Sequence, residues 1–209
     1  MGEWIDTNPT KGIKKFKEKS RERFLYSDEL LRFFQALSED QNKNLADFFM
    51  LSLLTGARRD NVLTMRWKDM SFEHGIWTIP ETKNGDLLKI PLSDEAKKIL
   101  QNRRAVNFES QWVFPSKHSK SGHLEEPKSA WKRILKKAGI EDLRLHDLRR
   151  TLGSWQAATG ANSYVIGKSL GHKTQQATAI YARLNLDPVK ESIDRATTAM
   201  FKTMQRVKK

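Results

Sequence analysis

One stretch near the amino terminus, Leu45 to Gly56 (LADFFMLSLLTG), is apolar around nearly its whole helical circumference. A helix of this kind has no polar face to turn toward water, so other elements must surround it. We therefore expect it to lie at the centre of a core and to end at Gly56. The rest of the domain should pack around it and be mainly helical.

Neighbouring segments carry their own helix signals. Ser27 followed by two acids predicts an N-cap hydroxyl and a helix start, and Ser93 predicts the start of another helix that runs to about Leu100. Apolar spacing and closing glycines predict further helices. Their ranges are 62–67, 127–138, 147–158, 163–170, 175–184 and 187 onward.

Strand signals are confined to two places. β-Rich runs flank Asn84-Gly85, and this dipeptide predicts a hairpin because both residues tolerate positive φ. Trp112 to Phe114 are a candidate short strand. The predicted class is α+β, mainly helical, with a small antiparallel sheet.

Charge and cysteine content narrow the function. The chain has 38 Lys and Arg against 25 Asp and Glu, a net charge of +13, which indicates a polyanionic partner, nucleic acid first. It has no Cys, which excludes disulfides, thiolate chemistry and Cys-containing zinc sites. Since neither a membrane span nor a signal peptide is visible, we expect a soluble intracellular protein.

The stretch from Thr10 to Arg23 is different, with seven basic and two acidic residues and little apolar periodicity. A solvated coil and a strap lying on nucleic-acid phosphates are both open interpretations. We assign residues 1–26 to a basic linker or arm and 27–209 to one folded domain, and we expect the chain to be a fragment of a longer one.

Polar residues recur in phrases that core packing does not explain. LRLHDLRRT places His146 and Arg149 three apart at a helix start, on one face. LGHKTQQATAIYARL places Tyr181 nine residues after His172. LLTGARRDNVL puts Arg58 at the end of the buried helix, where a charge needs a partner.

Together these phrases resemble the catalytic domain of the tyrosine recombinases, the phage integrase family. That family has Thr-Gly-x-Arg before a helix, a Lys on a β-hairpin, His-x-x-Arg, Leu-Gly-His, and a Tyr nine residues beyond that His. The same order stands here as Thr55-Gly56-Ala57-Arg58, Lys83, His146-Asp147-Leu148-Arg149, Leu170-Gly171-His172 and Tyr181. The interval of 23 residues from Arg149 to His172 also matches. The resemblance extends over nearly the whole chain from Ser27 onward.

The resemblance implies site-specific DNA cleavage and rejoining through a 3'-phosphotyrosyl intermediate. Two planar guanidiniums match phosphate oxygens, the histidines add donors, and His146 would take the proton of the nucleophile. A hairpin Lys would protonate the departing 5' oxygen. Because the phosphotyrosyl bond keeps the phosphodiester free energy, neither a cofactor nor a metal is expected. The implied catalytic set is Arg58, Lys83, His146, Arg149, His172 and Tyr181.

The resemblance also implies a location, a fold and partners. We expect a cytoplasmic protein, bacterial or phage-encoded and associated with the nucleoid. We expect a helical bundle with a three-stranded antiparallel sheet, double-stranded DNA as substrate, and a homotetramer on DNA that is monomeric or weakly associated without it. In the family an amino-terminal domain clamps the duplex, and the final helix from Asp187 to about Gln205 often docks on a neighbouring protomer. Docking in trans and packing on its own domain both remain open. Its apolar face would comprise Val189, Ile193, Ala196, Met200 and Met204.

Some residues have competing interpretations. The family often has an acid three residues after the first arginine, where this chain has Asn61, which accepts a hydrogen bond but gives no charge. Lys89 lies on the same hairpin as Lys83 and could replace it. Arg59 and Arg150 should point away from the site, toward solvent or phosphate.

Two other functions are compatible with the motifs. A type IB topoisomerase would share the nucleophile and the arginines but relax supercoils without synapsis. A catalytically silent DNA-binding module would keep the fold alone, and Tyr181 would then be a core tyrosine. His74, His118 and His123 show no spacing typical of metal ligands, so no metal site is expected.

Overall fold

The apolar stretch forms a central helix, α2, over Lys43–Thr55. Phe48 and Phe49 on this helix are fully buried. Gly56 ends the helix in the left-handed conformation with φ 58°. A Cβ at this position would lie 2.6 Å from Cδ2 of Leu170, so a glycine is required here by both conformation and space. The prediction of a buried central helix is confirmed.

The protein is represented by a computed structural model that describes residues 12–13, 21–80, 87–107, 109–172, 174, 177–179, 181, 193–198 and 200. Along these residues the elements are α1 Ser27–Ser38, α2, α3 Arg59–Leu63, a 3₁₀ turn Trp67–Asp69, β1 Met70–Ser71, β2 Ile76–Ile79, β3 Leu88–Pro91, α4 Asp94–Val106, α5 Lys128–Ala138, α6 Asp147–Ala158 and α7 Ser163–Leu170. Helices α1, α3, α4 and α6 pack directly on α2. The mainly helical α+β class is confirmed.

The sheet is antiparallel and has the order β1-β2-β3. Trp77 on β2 pairs with Met70 on one side and with Ile90 on the other. Alternation along the strands buries Trp77, Ile79 and Ile90 against the helices. The hairpin pairing is therefore confirmed. The turn at Asn84-Gly85, together with Lys83, lies outside the described residues.

Two helix ends differ from the sequence prediction. α1 has Tyr26, and not Ser27, at its N-cap position, since the Glu29 carboxylate accepts the Tyr26 backbone N–H at 3.1 Å and fixes the start one residue earlier. α4 starts as predicted, with the Ser93 hydroxyl accepting the Ala96 N–H at 3.3 Å. It continues past Leu100 to Val106 because Arg103, in its last turn, has partners to bond outside the helix.

The prediction of a short strand at Trp112 to Phe114 was wrong. The segment forms only an isolated antiparallel bridge between Trp112 and Arg66. Val113 and Phe114 are nonetheless fully buried, and the Val113 carbonyl accepts from Nε of Arg103 at 3.1 Å. Burial in the core, and not sheet pairing, accounts for the apolar character of this segment.

The loop that leads to the candidate site is tied to the core. Trp131 on α5 packs against Phe49 with ring centroids 5.1 Å apart, and its indole N–H donates to the Leu143 carbonyl at 3.1 Å. Leu143 and Leu148, on either side of the turn before α6, are buried. The turn that carries His146 is therefore held from both ends.

Only parts of the last two predicted helices are described. Residues 177–179 and 181 are helical, and so are 193–198 and 200. In the latter stretch Ile193 is 58% exposed and Met200 71% exposed, which leaves an apolar face uncovered. Across the described ranges, no helix combines the length and apolar character needed to cross a bilayer.

Candidate active site

Arg149 joins the ends of two helices. Its Nη1 donates to the Gly56 carbonyl at 2.6 Å and its Nη2 donates to the Leu170 carbonyl. Gly56 follows the last residue of α2, and Leu170 is the last residue of α7. Terminal helix carbonyls lack intrahelical donors and carry partial negative charge, so a cation is favoured there. The fold thus fixes this guanidinium without any ligand.

The charge of Arg149 is maintained despite burial. The residue is 5% exposed. Burial lowers its pKa to about 10, with Arg58 acting in the same direction and Tyr181 opposing the shift. This guanidinium therefore stays protonated at neutral pH.

Arg58 is held less firmly. It occupies the N-cap position of α3 in extended conformation and is half-buried. Among the described residues, none accepts a hydrogen bond from its guanidinium. Asn61, one turn along α3, has a buried Nδ2 with no partner in the described part of the chain. The residue that stands where the family often has an acid therefore forms no hydrogen bond with Arg58.

His146 lies at the N-cap position of α6, directly before Asp147. Loss of water around its ring lowers the pKa of His146, and the charges of Arg150, Arg149 and Arg58 lower it further, while Asp147 acts in the opposite direction. The imidazole is therefore neutral at pH 7 and able to accept a proton.

His172 follows the left-handed Gly171 that ends α7. Its Nδ1 lies 3.0 Å from Oγ1 of Thr178, and its backbone N–H donates to the Gly167 carbonyl at 2.9 Å. Burial lowers the pKa of His172 to about 4, with Arg149 and Arg58 adding to the shift. This second imidazole is also neutral at pH 7.

Tyr181 is 2% exposed and lies between His172 and α6. Its ring is parallel to that of His172, with an interplanar angle of 7° and centroids 6.1 Å apart. A Cβ at Gly153 would be 2.5 Å from Cε1 of Tyr181, so the absence of a side chain there makes room for the ring. Burial raises the pKa of Tyr181, while Arg149 and Arg150 favour its ionised form.

The structure therefore brings five of the six predicted site residues into one cluster. Arg149 affects the pKa values of His146, His172 and Tyr181, and Arg58 affects those of Arg149 and both histidines. Lys83 lies outside the described residues. The adjoining strand β3 reaches the site, because a Cβ on Gly171 would lie 2.7 Å from Cδ2 of Leu88.

Several supporting residues were not recognised in the sequence. Asp147 is fully buried, and Arg150 donates to its Oδ1 at 2.5 Å. The solvent-facing alternative for Arg150 was therefore wrong, and the phosphate-contacting alternative stays a prediction. The spacing of three between Asp147 and Arg150 is a helix ion-pair signal that could have shown this pairing. Nothing local marks Thr178 or Gly153, whose roles depend on contacts with His172 and Tyr181. In the described part of the chain, no three His, Asp or Glu side chains are grouped to hold a metal ion.

Comparison with known proteins decides the family. The sequence model of the Phage integrase family matches residues 23–187, most of the chain. The chain belongs to the phage integrase family. Among curated members, it is 34% identical to the shufflon-specific DNA recombinase of Escherichia coli over 85% of its own length, and 30% identical to the integrase of Salmonella phage P22 over 87%. It spans 44% and 49% of these two relatives, which is under half of each.

Solved structures of integrases and recombinases show the same fold. The catalytic domain of bacteriophage HP1 integrase matches with a TM-score of 0.61 at 24% identity, covering 82% of this chain and 93% of that one. XerH recombinase in a post-cleavage complex with its difH substrate matches with a TM-score of 0.67 at 18% identity, covering 81% and 52%. The predicted tyrosine recombinase catalytic fold is confirmed.

Proposed function

We propose that this chain is the catalytic part of a site-specific DNA recombinase that cleaves and rejoins strands through a 3'-phosphotyrosyl intermediate. The observation that carries the proposal is the placement of Tyr181 against His172 and beside the fixed guanidinium of Arg149. A phenol that burial keeps protonated needs both a base and a positive field to attack phosphorus. This cluster can supply both.

The two arginines would stabilise the negative charge that gathers on the phosphate oxygens in the transition state. Arg149 uses one N–H on each of two nitrogens for helix carbonyls, and its other three N–H groups have no acceptor among the described residues, so they could bind phosphate. No described residue accepts a hydrogen bond from the guanidinium of Arg58. Together they would grip the scissile phosphate from two directions.

The two neutral imidazoles have different proposed roles. His146 would accept the Tyr181 proton as the bond between Oη and phosphorus forms, and His172 would donate a hydrogen bond to the phosphate. As the bond from phosphorus to the 5' oxygen breaks, Lys83 would protonate that oxygen. Contact between Leu88 and Gly171 supports this role, since it sets the base of the hairpin beside His172. Attack by a new 5' hydroxyl reverses each step and rejoins the strand.

Double-stranded DNA is the proposed substrate, and a net charge of +13 favours binding to it. XerH and the Tn1549 transposon integrase, whose structures match this chain, were solved with DNA. Recombination of bacterial or phage DNA would place the protein on the nucleoid.

We further propose a homotetramer on DNA, with the final helix, from Asp187 to about Gln205, docking on a second copy of this chain. Ile193 and Met200 support docking in trans because their own domain leaves them 58% and 71% exposed. Truncation after Leu186 should abolish tetramer formation on DNA in sedimentation. Unchanged assembly would contradict docking in trans.

Covalent capture tests the nucleophile. Wild type, Tyr181→Phe and the control Tyr164→Phe, which alters a 72% exposed tyrosine, are incubated with sheared, nicked DNA of the source genome. Nicks let the cleaved end diffuse away, so the adduct accumulates. We expect protein-linked fragments enriched in one sequence from wild type and Tyr164→Phe only. Adducts from Tyr181→Phe, or none from the full-length gene product, would overturn the proposal, and the latter result would favour a silent DNA-binding module.

A further inference from the structure

The segment that precedes α1 lies along one face of the active-site helix α6. Leu25 is fully buried, and its N–H donates to Oγ1 of Thr151 at 2.9 Å. The Leu25 carbonyl accepts from Nε1 of Trp155 at 3.4 Å. Thr151 and Trp155 are four residues apart, and Asp147 lies one turn before them, so all three share a face. The segment is thus attached to α6 at successive turns.

Arg21 makes the first of these attachments. Its Nε and Nη2 both donate to Oδ2 of Asp147, at 3.1 and 3.0 Å, although 126 residues separate the two in sequence. Its Nη1 also donates to Oδ2 of Asp142 at 3.0 Å. The Asp147 side chain is 0% exposed. A buried carboxylate needs cationic donors, and Arg21 and Arg150 supply them.

Asp147 also forms the hydrogen bonds that close the backbone turn on which His146 lies. Its carboxylate Oδ2 accepts the Arg144 N–H at 2.8 Å, and its own N–H donates to the Arg144 carbonyl at 2.8 Å. The geometry of this turn therefore depends on the orientation of the Asp147 carboxylate. Arg21 fixes that orientation through the same oxygen that bonds the turn.

We propose that Arg21 is a positioning residue for DNA cleavage, which acts through Asp147 to hold His146 in place for proton transfer. Its guanidinium would then belong to the catalytic machinery and not to a phosphate-binding arm. The proposal rests on the proposed function only through the role of His146 as base.

Removal of Arg21 should change the electrostatic environment of His146 as well as its position. The charged and titratable groups facing His146 are Arg58 at the start of α3, Asp147, Arg149 and Arg150 on α6, and His172 after α7. Without Arg21 the negative charge of Asp147 is less neutralised, so the pKa of His146 should rise. The acidic limb of the cleavage profile should move to higher pH.

Arg21→Ala and a matched control, Arg23→Ala, test this. Arg23 belongs to the same segment, its side chain is 17% exposed against 21% for Arg21, and it also forms a two-pronged ion pair. Its carboxylate partner is Glu29 on α1, at 2.7 and 2.5 Å, and not a residue of α6. Each variant thus loses one cation, but Arg21→Ala loses the ion pairs to Asp142 and Asp147, whereas Arg23→Ala loses the pair to Glu29.

Two readouts separate positioning from folding or binding. NMR titration of the five histidines without DNA, with His146 assigned through His146→Gln, follows the environment of the base directly. Single-turnover cleavage of nicked DNA at saturating protein follows the chemical step. We expect Arg21→Ala to raise the pKa of His146 and to slow cleavage roughly ten- to hundredfold. Arg23 acts on Asp147 through its charge, without the hydrogen bonds that Arg21 makes, so Arg23→Ala should change both much less than Arg21→Ala. The two variants should bind DNA alike.

The proposal is overturned if His146 titrates identically in the two variants, or if both slow cleavage equally. If wild type fails to cleave, the proposed function fails, while the histidine titration still decides whether Arg21 controls His146. Should Arg21→Ala not fold, Arg21→Lys replaces it. The lysine keeps the charge but loses the fork, so cleavage should slow while the pKa of His146 stays near that of wild type. For this variant cleavage alone decides, and the proposal is overturned if Arg21→Lys slows cleavage no more than Arg23→Ala does.

Discussion

The two arginines of the site are held in different ways. Arg149 is 5% exposed and bonds the carbonyls that end α2 and α7, whereas Arg58 is half-buried and bonds no described residue. Asn61, beside Arg58, has no described partner either. The fold therefore orients one guanidinium before DNA arrives, whereas the described residues supply no acceptor that orients the other. Preorganised charge costs no reorganisation during the reaction, so Arg149 is the more costly of the two to replace.

The largest expected effect is a difference between the two arginines in how far their replacement lowers the free energy of unfolding. Arg149→Ala leaves two buried helix carbonyls without donors and should lower the free energy of unfolding by about 3 kcal/mol or more. Arg58→Ala should lower it by no more than about 1 kcal/mol. Both should abolish adduct formation. Urea unfolding measures the difference, and equal losses of stability would show that the contrast is wrong.

Low pH should increase the difference between the two arginines, because protonation of His172 adds a cation near Arg149. The pKa of His172 is about 4 in the fold and 6.5 in a free imidazole, so between these pH values the unfolded chain binds the extra proton. Stability should therefore be full above pH 6.5 and fall as the pH drops toward 4, by up to about 3 kcal/mol.

Urea midpoints measured across this pH range test the expectation. His172→Gln should flatten the profile, whereas the control His118→Gln, which alters an exposed histidine, should leave it unchanged. A profile as steep in His172→Gln as in wild type would assign the acid sensitivity to other groups.

The next effect concerns the packing around Tyr181, the proposed nucleophile, which contacts α6 one turn beyond Arg149. Gly153→Ala places a Cβ within 2.5 Å of the Tyr181 ring and should cost about 1–3 kcal/mol through overpacking. In a Tyr181→Ala background the same change should cost little, since the ring is gone. A double-mutant cycle by urea unfolding measures this coupling. A coupling near zero would mean that the ring leaves this position freely.

The smallest effect is expected beside Arg58. Asn61→Leu removes a buried donor that has no described partner, so the free energy of unfolding should stay constant or rise by about 1 kcal/mol. Asn61→Ala, which removes the same donor but leaves a cavity, serves as the control and should be less stable. A loss above about 2 kcal/mol in Asn61→Leu would reveal a contact that fixes this region after all.

Local patterns predicted much of the fold. The bounds of α6 and α7 agree with the sequence prediction because apolar periodicity and the closing Gly160 and Gly171 are local signals. The start of α1 was misplaced by one residue because the capping acid, Glu29, competes with the Ser27 hydroxyl.

The candidate site was less accessible to such reasoning. Motif order identified the residues that cluster, and their catalytic roles stay predictions. The supports of the cluster could not be predicted. Backbone carbonyls that accept from Arg149 carry no side-chain signature, and Arg21 is 126 residues away from Asp147. Long-range pairing of this kind depends on how helices pack, which local periodicity does not encode.

The double attachment of Arg149 has a consequence for genetics. Random mutagenesis followed by selection for proteins that accumulate normally in cells but no longer recombine should recover varied changes at Arg58. At the buried Tyr181 it should recover mainly phenylalanine, which keeps the ring. Changes at Arg149 should be depleted, because an unfolded protein is degraded before it is scored. The codon for Arg149 would therefore be constrained by cellular protein quality control as well as by the reaction itself.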